Sequence, residues 1–355
     1  MNSCFSKKRV LLYSGLLAFA MSSAYAGDPP LTFANNYVSI GAGAYVNGDI
    51  QANNYVTTGA NAIVTGHIQT GAAATLGASA NVGGYIHADT AVTLGAHANV
   101  GGYIRAVTAV TLGAHANVDS TVNDGVPLTM GVGSMIGEAY LDDTPIVTFD
   151  NEAVFDARKV YSDMGSGEPL APTITTSKVF GPGVYSAASL ATTAGITITL
   201  DGTGTGKTDH WVFNITDILS FGANTKIELI KTGPNSRIIW NSGGYTSIGA
   251  GAQIKGTILA HTYVSTGEGS TVSGVPGVGV EGVSSCGGIY SETSYVSIGA
   301  HSEVGTVGCE TRSIDLVEEL AIGEADGLPS EAPQDEVVDE PMFGFLSGFQ
   351  GLQMM

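Results

Sequence analysis

The residues whose spacing carries chemical meaning in this chain are short hydroxyls. Ser39, Thr57, Thr75, Thr93 and Thr111 recur at one constant step, each two positions ahead of a glycine. The same hydroxyl–x–glycine triplet returns at Ser220, Ser247, Ser265 and Ser297. Two positions upstream stand Tyr37, Tyr55, Ala73, Ala91 and Ala109, and later Tyr245, Tyr263 and Tyr295. If equivalent positions stack, these residues form two straight columns on one outward face, without formal charges. Threonine is stiff at χ1, so such a column is ordered before it binds anything. A rigid surface of alternating methyls and hydroxyls can hold water in a lattice-like arrangement. Threonine and serine are also ordinary exposed strand residues, and the column then only solubilises a sheet.

Other reactive side chains offer less. His97 and His115 recur with the period, beside Asn61, Ser79 and the asparagines Asn81, Asn99 and Asn117. Asp49, His67, Tyr85, His87, Tyr103 and Arg105 mark another face. A histidine at one coil spacing reads as a hydrated surface, and no metal site is expected. Asp209-His210 is the one pair suggestive of catalysis, and it lies next to Trp211 inside an apolar segment. Apolar residues at every sixth position (Leu94, Val100, Ala106, Leu112) also fit acyltransferases of the left-handed hexapeptide type. An exported chain would not meet their acyl-CoA donor. No enzyme activity and no cofactor are therefore expected.

The elements that must position the hydroxyls follow from the period. Gly41, Gly59, Gly77, Gly95 and Gly113 keep the 18-residue step, as do Val46, Val64, Val82, Val100 and Val118. Within one unit Val92, Leu94, Ala98, Val100, Ile104 and Ala106 alternate with polar or small residues, the pattern of strands with one buried face. A unit of this length suits one turn of a triangular β-solenoid: three short strands, tight glycine corners and a narrow core. The fold class is all-β. Regular coils are expected over 36–120 and less regular chain over 121–150. A helix is expected near 150–164, with Val154, Phe155, Ala157 and Tyr161 as its apolar face. A main body follows over 179–309.

The ends read differently. Lys7, Lys8 and Arg9, then the apolar run Val10–Ala20 and Ala24-Tyr25-Ala26, have the form of a signal peptide over 1–26, cleaved after Ala26. The mature protein would be secreted, periplasmic or at the cell surface, with no membrane insertion. Cys286 and Cys309 then remain and are expected to form one disulfide. Residues 311–355 carry many carboxylates against the single cation Arg312 and read as an acidic tail without a fold of its own. The formal net charge of −19 argues against nucleic-acid partners, which need clustered cations. Gly-rich composition (50 glycines) with 43 % hydrophobic residues excludes both collagen, for want of a Gly-X-Y run, and wholesale disorder.

Four segments in order, Phe180-Gly-Pro-Gly-Val-Tyr-Ser186, Ile196-Thr-Ile-Thr-Leu-Asp-Gly202, His210-Trp-Val-Phe-Asn-Ile215 and Ile254-Lys-Gly-Thr-Ile-Leu-Ala260, resemble the microbial ice-binding protein family. The resemblance covers roughly 36–308. It implies a discontinuous, right-handed, triangular β-solenoid with one α-helix alongside. It also implies adsorption to an ice crystal surface, and so antifreeze activity or inhibition of ice recrystallisation. The contact face would be Ser39, Thr57, Thr75, Thr93 and Thr111 with Ala73, Ala91 and Ala109, extended by Ser247, Ser265 and Ser297. Very regular early coils, an insertion at Val275–Ile289 and the acidic tail depart from the family pattern. The alternative is a cell-surface or biofilm-matrix solenoid that self-associates or binds a glycan, with Tyr245, Tyr263 and Tyr295 as stacking platforms.

Overall fold

In the computed structural model, which describes residues 30–123, 125–137, 151–165, 167–204, 209–233, 236–275 and 287–305, the strands assemble into three parallel sheets of 11, 12 and 12 strands. The three sheets are the sides of one solenoid, and each coil contributes a strand to each side. Over the early repeats the register is the 18-residue step itself: Val92 pairs with Val110, Asn99 with Asn117, and Ile86 with Ile104. The residues expected inside are inside. Val92, Leu94, Ala98, Val100, Ile104 and Ala106 are each at most 1 % exposed.

The chain does not climb this stack in one pass. It enters in the middle, at Thr32–Ala34, and rises to Met135–Ile136. It resumes at the opposite end with Glu168–Pro169 and rises again to Glu303–Val304. There the last coil meets the first: Phe33 pairs with Tyr290, Val38 with Val296, and Tyr45 with Glu303. The upper, N-terminal coils and the lower, C-terminal coils thus share one continuous set of sheets. Residues 125–137 are more regular than their sequence suggests. Leu128–Met130 and Met135–Ile136 pair in register with the coil before them.

Glycine at one corner makes this stacking possible. A Cβ on Gly77 would stand 2.5 Å from the carbonyl carbon of Gly59, and one on Gly95 would stand 2.7 Å from that of Gly77. The column continues across the seam, where a Cβ on Gly41 would overlap the amide nitrogen of Ala300. A side chain here would press on the backbone of the adjacent repeat coil; the two lowest coils, with Thr193 and Thr175 at the corner, accommodate one.

The interior changes along the stack. Upper coils are filled by Val, Ala, Ile and Leu, and lower coils by fully buried Trp211, Phe213, Phe221 and Trp240. The narrow core expected from the repeat therefore holds only above the seam. Below it Phe213 stacks on Trp240 at 4.2 Å, and Trp240 Nε1 donates to the carbonyl of Lys255 at 2.8 Å.

One helix, Asn151–Asp163, lies along the first sheet. Val154, Ala157 and Tyr161 form one apolar cluster with Val212, Ile239, Leu259 and Tyr290 of the strands the helix lies against, and the cluster extends to Phe33 across the seam. Phe155, expected on this face, is 48 % exposed, because it lies about 100° round the helix from Val154. Arg158 takes an inward place instead. It pairs with Glu292 and donates through Nη2 to the carbonyl of Ser242 at 2.9 Å. The Glu292 carboxylate also lies 3.1 Å from His261 Nδ1. Asn241 Nδ2 has the Arg158 carbonyl at 3.1 Å, Ser162 Oγ at 3.0 Å and Asn214 Oδ1 at 3.0 Å within reach of its two N–H groups, and Asn214 Nδ2 donates to the Tyr161 carbonyl in the last turn of the helix. The signal segment, Cys286 and Cys309, and the acidic tail lie outside the described residues.

Two outcomes test this account. Gly77→Ala should destabilise the fold by about 1–3 kcal/mol or more, read from urea unfolding, because the added methyl meets backbone rather than a movable side chain. Arg158→Ala leaves the Glu292 carboxylate buried without its guanidinium and should cost about 3–5 kcal/mol, whereas Arg158→Met paired with Glu292→Leu should recover most of that loss. Equal stability of the single and double variants would show that the pair does not anchor the helix.

Candidate functional site

The second sheet brings the hydroxyls together. From top to bottom its outward column reads Thr129, Thr111, Thr93, Thr75, Thr57, Ser39, Ser297, Ser265, Ser247, Ser220, Ala191 and Thr173, each paired in register with the next. Eleven of these twelve positions carry a hydroxyl. At the strand spacing the column is about 50 Å long. It passes the seam between Ser39 and Ser297 without a break in register. Thr75, Thr93, Thr129 and Thr173 are exposed and the other hydroxyls are half-buried.

Each residue expected on this face from its spacing is on this face. Ala73, Ala91 and Ala109 form the neighbouring column, continued downward by tyrosines. Two rungs escape the sequence reading. Thr129 keeps the 18-residue step and the glycine two places on, but Val132 replaces the usual alanine and hides the match. Thr173 has no following glycine and could not be found that way. Nor does the sequence reveal that Ser39 sits on Ser297, since most of the chain separates them.

The tyrosines form a single stack. Tyr245, Tyr263, Tyr295, Tyr37 and Tyr55 follow one another with ring centroids 4.7, 4.9, 4.9 and 4.9 Å apart and planes within 7°. The faces of the inner rings are therefore covered by their neighbours, which removes them as platforms for a sugar ring and leaves edges and hydroxyls outward. Tyr37 and Tyr263 are held above the ordinary phenol value, first by burial and then by the neighbouring phenols.

The remaining candidates are dispersed. Asn61, Ser79, His97 and His115 do not lie on a flat face but at a corner, in the left-handed conformation with φ of 57–59°. His97 and His115 stack there at 5.1 Å. Asn81, Asn99 and Asn117 form an amide ladder on the third sheet, with Asn117 Nδ2 donating to Asn99 Oδ1 at 2.9 Å. His67, Tyr85 and Tyr103 stack at another corner, and His87 and Arg105 pair outward on the first sheet. Asp209 and His210 do not act together. Asp209 is buried and accepts from the amides of Thr203 and Gly233, both at 3.3 Å, while His210 faces outward. No group of three or more potential metal ligands occurs among the described residues. Of the three outer sides, only the second sheet offers an uncharged column of small side chains running the length of the stack.

The sequence profile of the Ice-binding-like family matches residues 118–300, just over half of the chain. The chain belongs to this family. An ice-binding protein of a Colwellia species is 30 % identical over 128 residues, which are 34 % of this chain and 49 % of that protein. One from Typhula ishikariensis is 38 % identical over 85 residues, 24 % of this chain and 33 % of that one. The chain spans about a third to a half of the length of the curated relatives it matches. A solved glycosylated ice-binding protein from an Arctic yeast superposes with a TM-score of 0.41 at 16 % identity, over 77 % of this chain and 88 % of that one. The family match begins at residue 118, so the regular upper coils of this family member stand outside it.

The tyrosine stack has a measurable signature. A raised phenol pKa in the folded state contributes stability that is full below the unfolded value, 10.0, and is lost as pH rises through the folded one. Alkaline titration followed by phenolate absorbance should show a late-ionising subset, and Tyr37→Phe should shrink it. A single ionisation at the ordinary value would show that the stack does not hold in solution.

Proposed function

We propose that this protein adsorbs to the surface of ice through the hydroxyl face of its second sheet. The observation that carries this reading is the twelve-rung column, uncharged, in register and almost wholly hydroxyl. Adsorption to a crystal demands a periodic and rigid surface, because a mobile one would have to be ordered at the moment of contact. Parallel pairing supplies the period and β-branched threonine supplies the rigidity. Membership of the family supports the same reading, as do relatives that are themselves ice-binding proteins.

Adsorbed molecules would force the ice front to curve between them and so halt growth or recrystallisation. No step in this requires a catalyst or cofactor. Residues 1–26 would direct the chain out of the cytoplasm, and Cys286 and Cys309 would close a disulfide there. No helix among the described residues is long and apolar enough to cross a membrane.

Single ice crystals watched in dilute purified protein decide the matter. Faceted crystals that stop growing within a temperature gap are expected, and round discs that grow freely would end the reading. Thr93→Glu places one protruding charge in the middle of the upper column. Because the side chain is exposed, stability should change by only about 0.5 kcal/mol. Crystal shaping should be lost, while Arg105→Glu on the first sheet should leave it intact.

A further inference from the structure

The hydroxyl face is two chemically different surfaces placed end to end. Above the seam the hydroxyl column is threonine from Thr57 to Thr129, and the neighbouring column is Ala73, Ala91, Ala109 and Pro127 over most of its length. From Ser39 down to Ser220 the hydroxyls are serine, with Thr173 closing the bottom, and beside Ser39, Ser297, Ser265 and Ser247 stand the stacked tyrosines. We infer that ice contact is confined to the threonine–alanine part, and that Tyr55, the top of the tyrosine stack, is the residue that sets its limit. This rests on the ice-adsorption reading and adds to it which rungs touch the crystal and what bounds them.

The argument is one of height and order. An alanine methyl and a threonine side chain end at nearly the same distance from the backbone, so the upper columns form one level. A phenol carries its hydroxyl several ångströms farther out. A crystal plane resting on the alanine methyls meets a step at Tyr55, and a plane resting on the tyrosines stands clear of the serines. The step does not fold away. Each inner ring is held between two neighbours less than 5 Å distant, and Tyr55 itself leans on Tyr37 with the planes 2° apart.

Order differs as well. Threonine adds the methyl that fills the space between hydroxyls and restricts χ1, whereas serine has neither property. The exposed hydroxyls Thr75, Thr93 and Thr129 lie in the threonine part, where Thr57 and Thr111 are half-buried like Ser39, Ser297, Ser265 and Ser247. The hydroxyl column alone is continuous past the seam, but the flat surface it belongs to ends where the tyrosines begin.

The test compares the two parts in the full chain. Thermal hysteresis at one protein concentration is measured for Thr93→Glu, Ser265→Glu and the double variant Tyr37→Ala with Tyr55→Ala. Circular dichroism and melting confirm folding of each, with Ser247→Glu standing in if Ser265→Glu does not fold. Thr93→Glu should lose hysteresis about tenfold or more. Ser265→Glu, on the serine part of the same column, should lower hysteresis by less than about twofold. The double alanine variant should raise it, because the flat surface then runs two rungs farther. Equal loss from Thr93→Glu and Ser265→Glu, or a fall in the double variant, would overturn the partition. A wild type that leaves ice unshaped would instead remove the ice-adsorption reading on which the partition rests, a result distinct from failure of the partition alone.

Discussion

From Gly131 down to Gly222 adjacent coils approach to strand-pairing distance at a corner that has no side chain; the two lowest coils carry Thr193 and Thr175 there. At Gly41, Gly59, Gly77 and Gly95 a single added carbon would overlap the backbone of the neighbouring coil. With the corner closed in this way, each residue lies over its equivalent in the next coil, and the pairing register equals the sequence period. That register turns sequence positions into columns. The valine core, the asparagine ladder, the tyrosine stack and the hydroxyl face are four consequences of it. A slip by one residue would turn the hydroxyls inward and the leucines outward along the whole side.

The seam shows how far the constraint reaches. The first and last coils of the path meet in the middle of the stack, yet they pair as ordinary neighbours, with Phe33 on Tyr290 and Ser39 on Ser297. Parallel backbone hydrogen bonds do not distinguish a neighbour one repeat along the chain from one at the far end of the path. What the seam lacks is chain continuity. The helix lies against the lower coils up to it: Val154, Ala157 and Tyr161 share an apolar cluster that extends to Phe33 of the first coil, and Arg158 fastens the helix to Glu292 beside the last strand of the first sheet. The hydroxyl face is therefore composite: neither arm of the chain presents it alone.

Much of this is legible in the sequence where the coils are equal. The period names the core residues, the glycine corners and the outward hydroxyls from Ser39 to Thr111 without reference to a structure. It fails where local sequence is silent about distant contacts. Nothing near Ser39 announces Ser297, and nothing near Val154 announces Phe33. It fails also where a corner residue imitates a face residue. His97 and Asn61 alternate like strand positions but take positive φ, 59° and 57°, so they leave the sheet. The aromatic core below the seam is hidden for another reason: strands such as His210–Ile215 and Arg237–Ser242 are longer than those of the repeat and read as simple apolar runs.

Unequal coils also explain why the two halves of the face need not serve alike. Above the seam the hydroxyl column keeps one constant step, whereas below it the steps from Ser220 to Ser247 and from Ser265 to Ser297 are longer and differ from each other. Despite the extra residues, the strands themselves stay in register. Register preserves the column but not its surroundings, because each longer coil brings its own strand lengths and core volume. Wide aromatic layers stand beneath the lower rungs and uniform aliphatic ones beneath the upper. A surface that must match a crystal needs repetition of everything around the contact atom, not of that atom alone. Only identical coils repeat everything, and in this chain those are the coils of the threonine–alanine part.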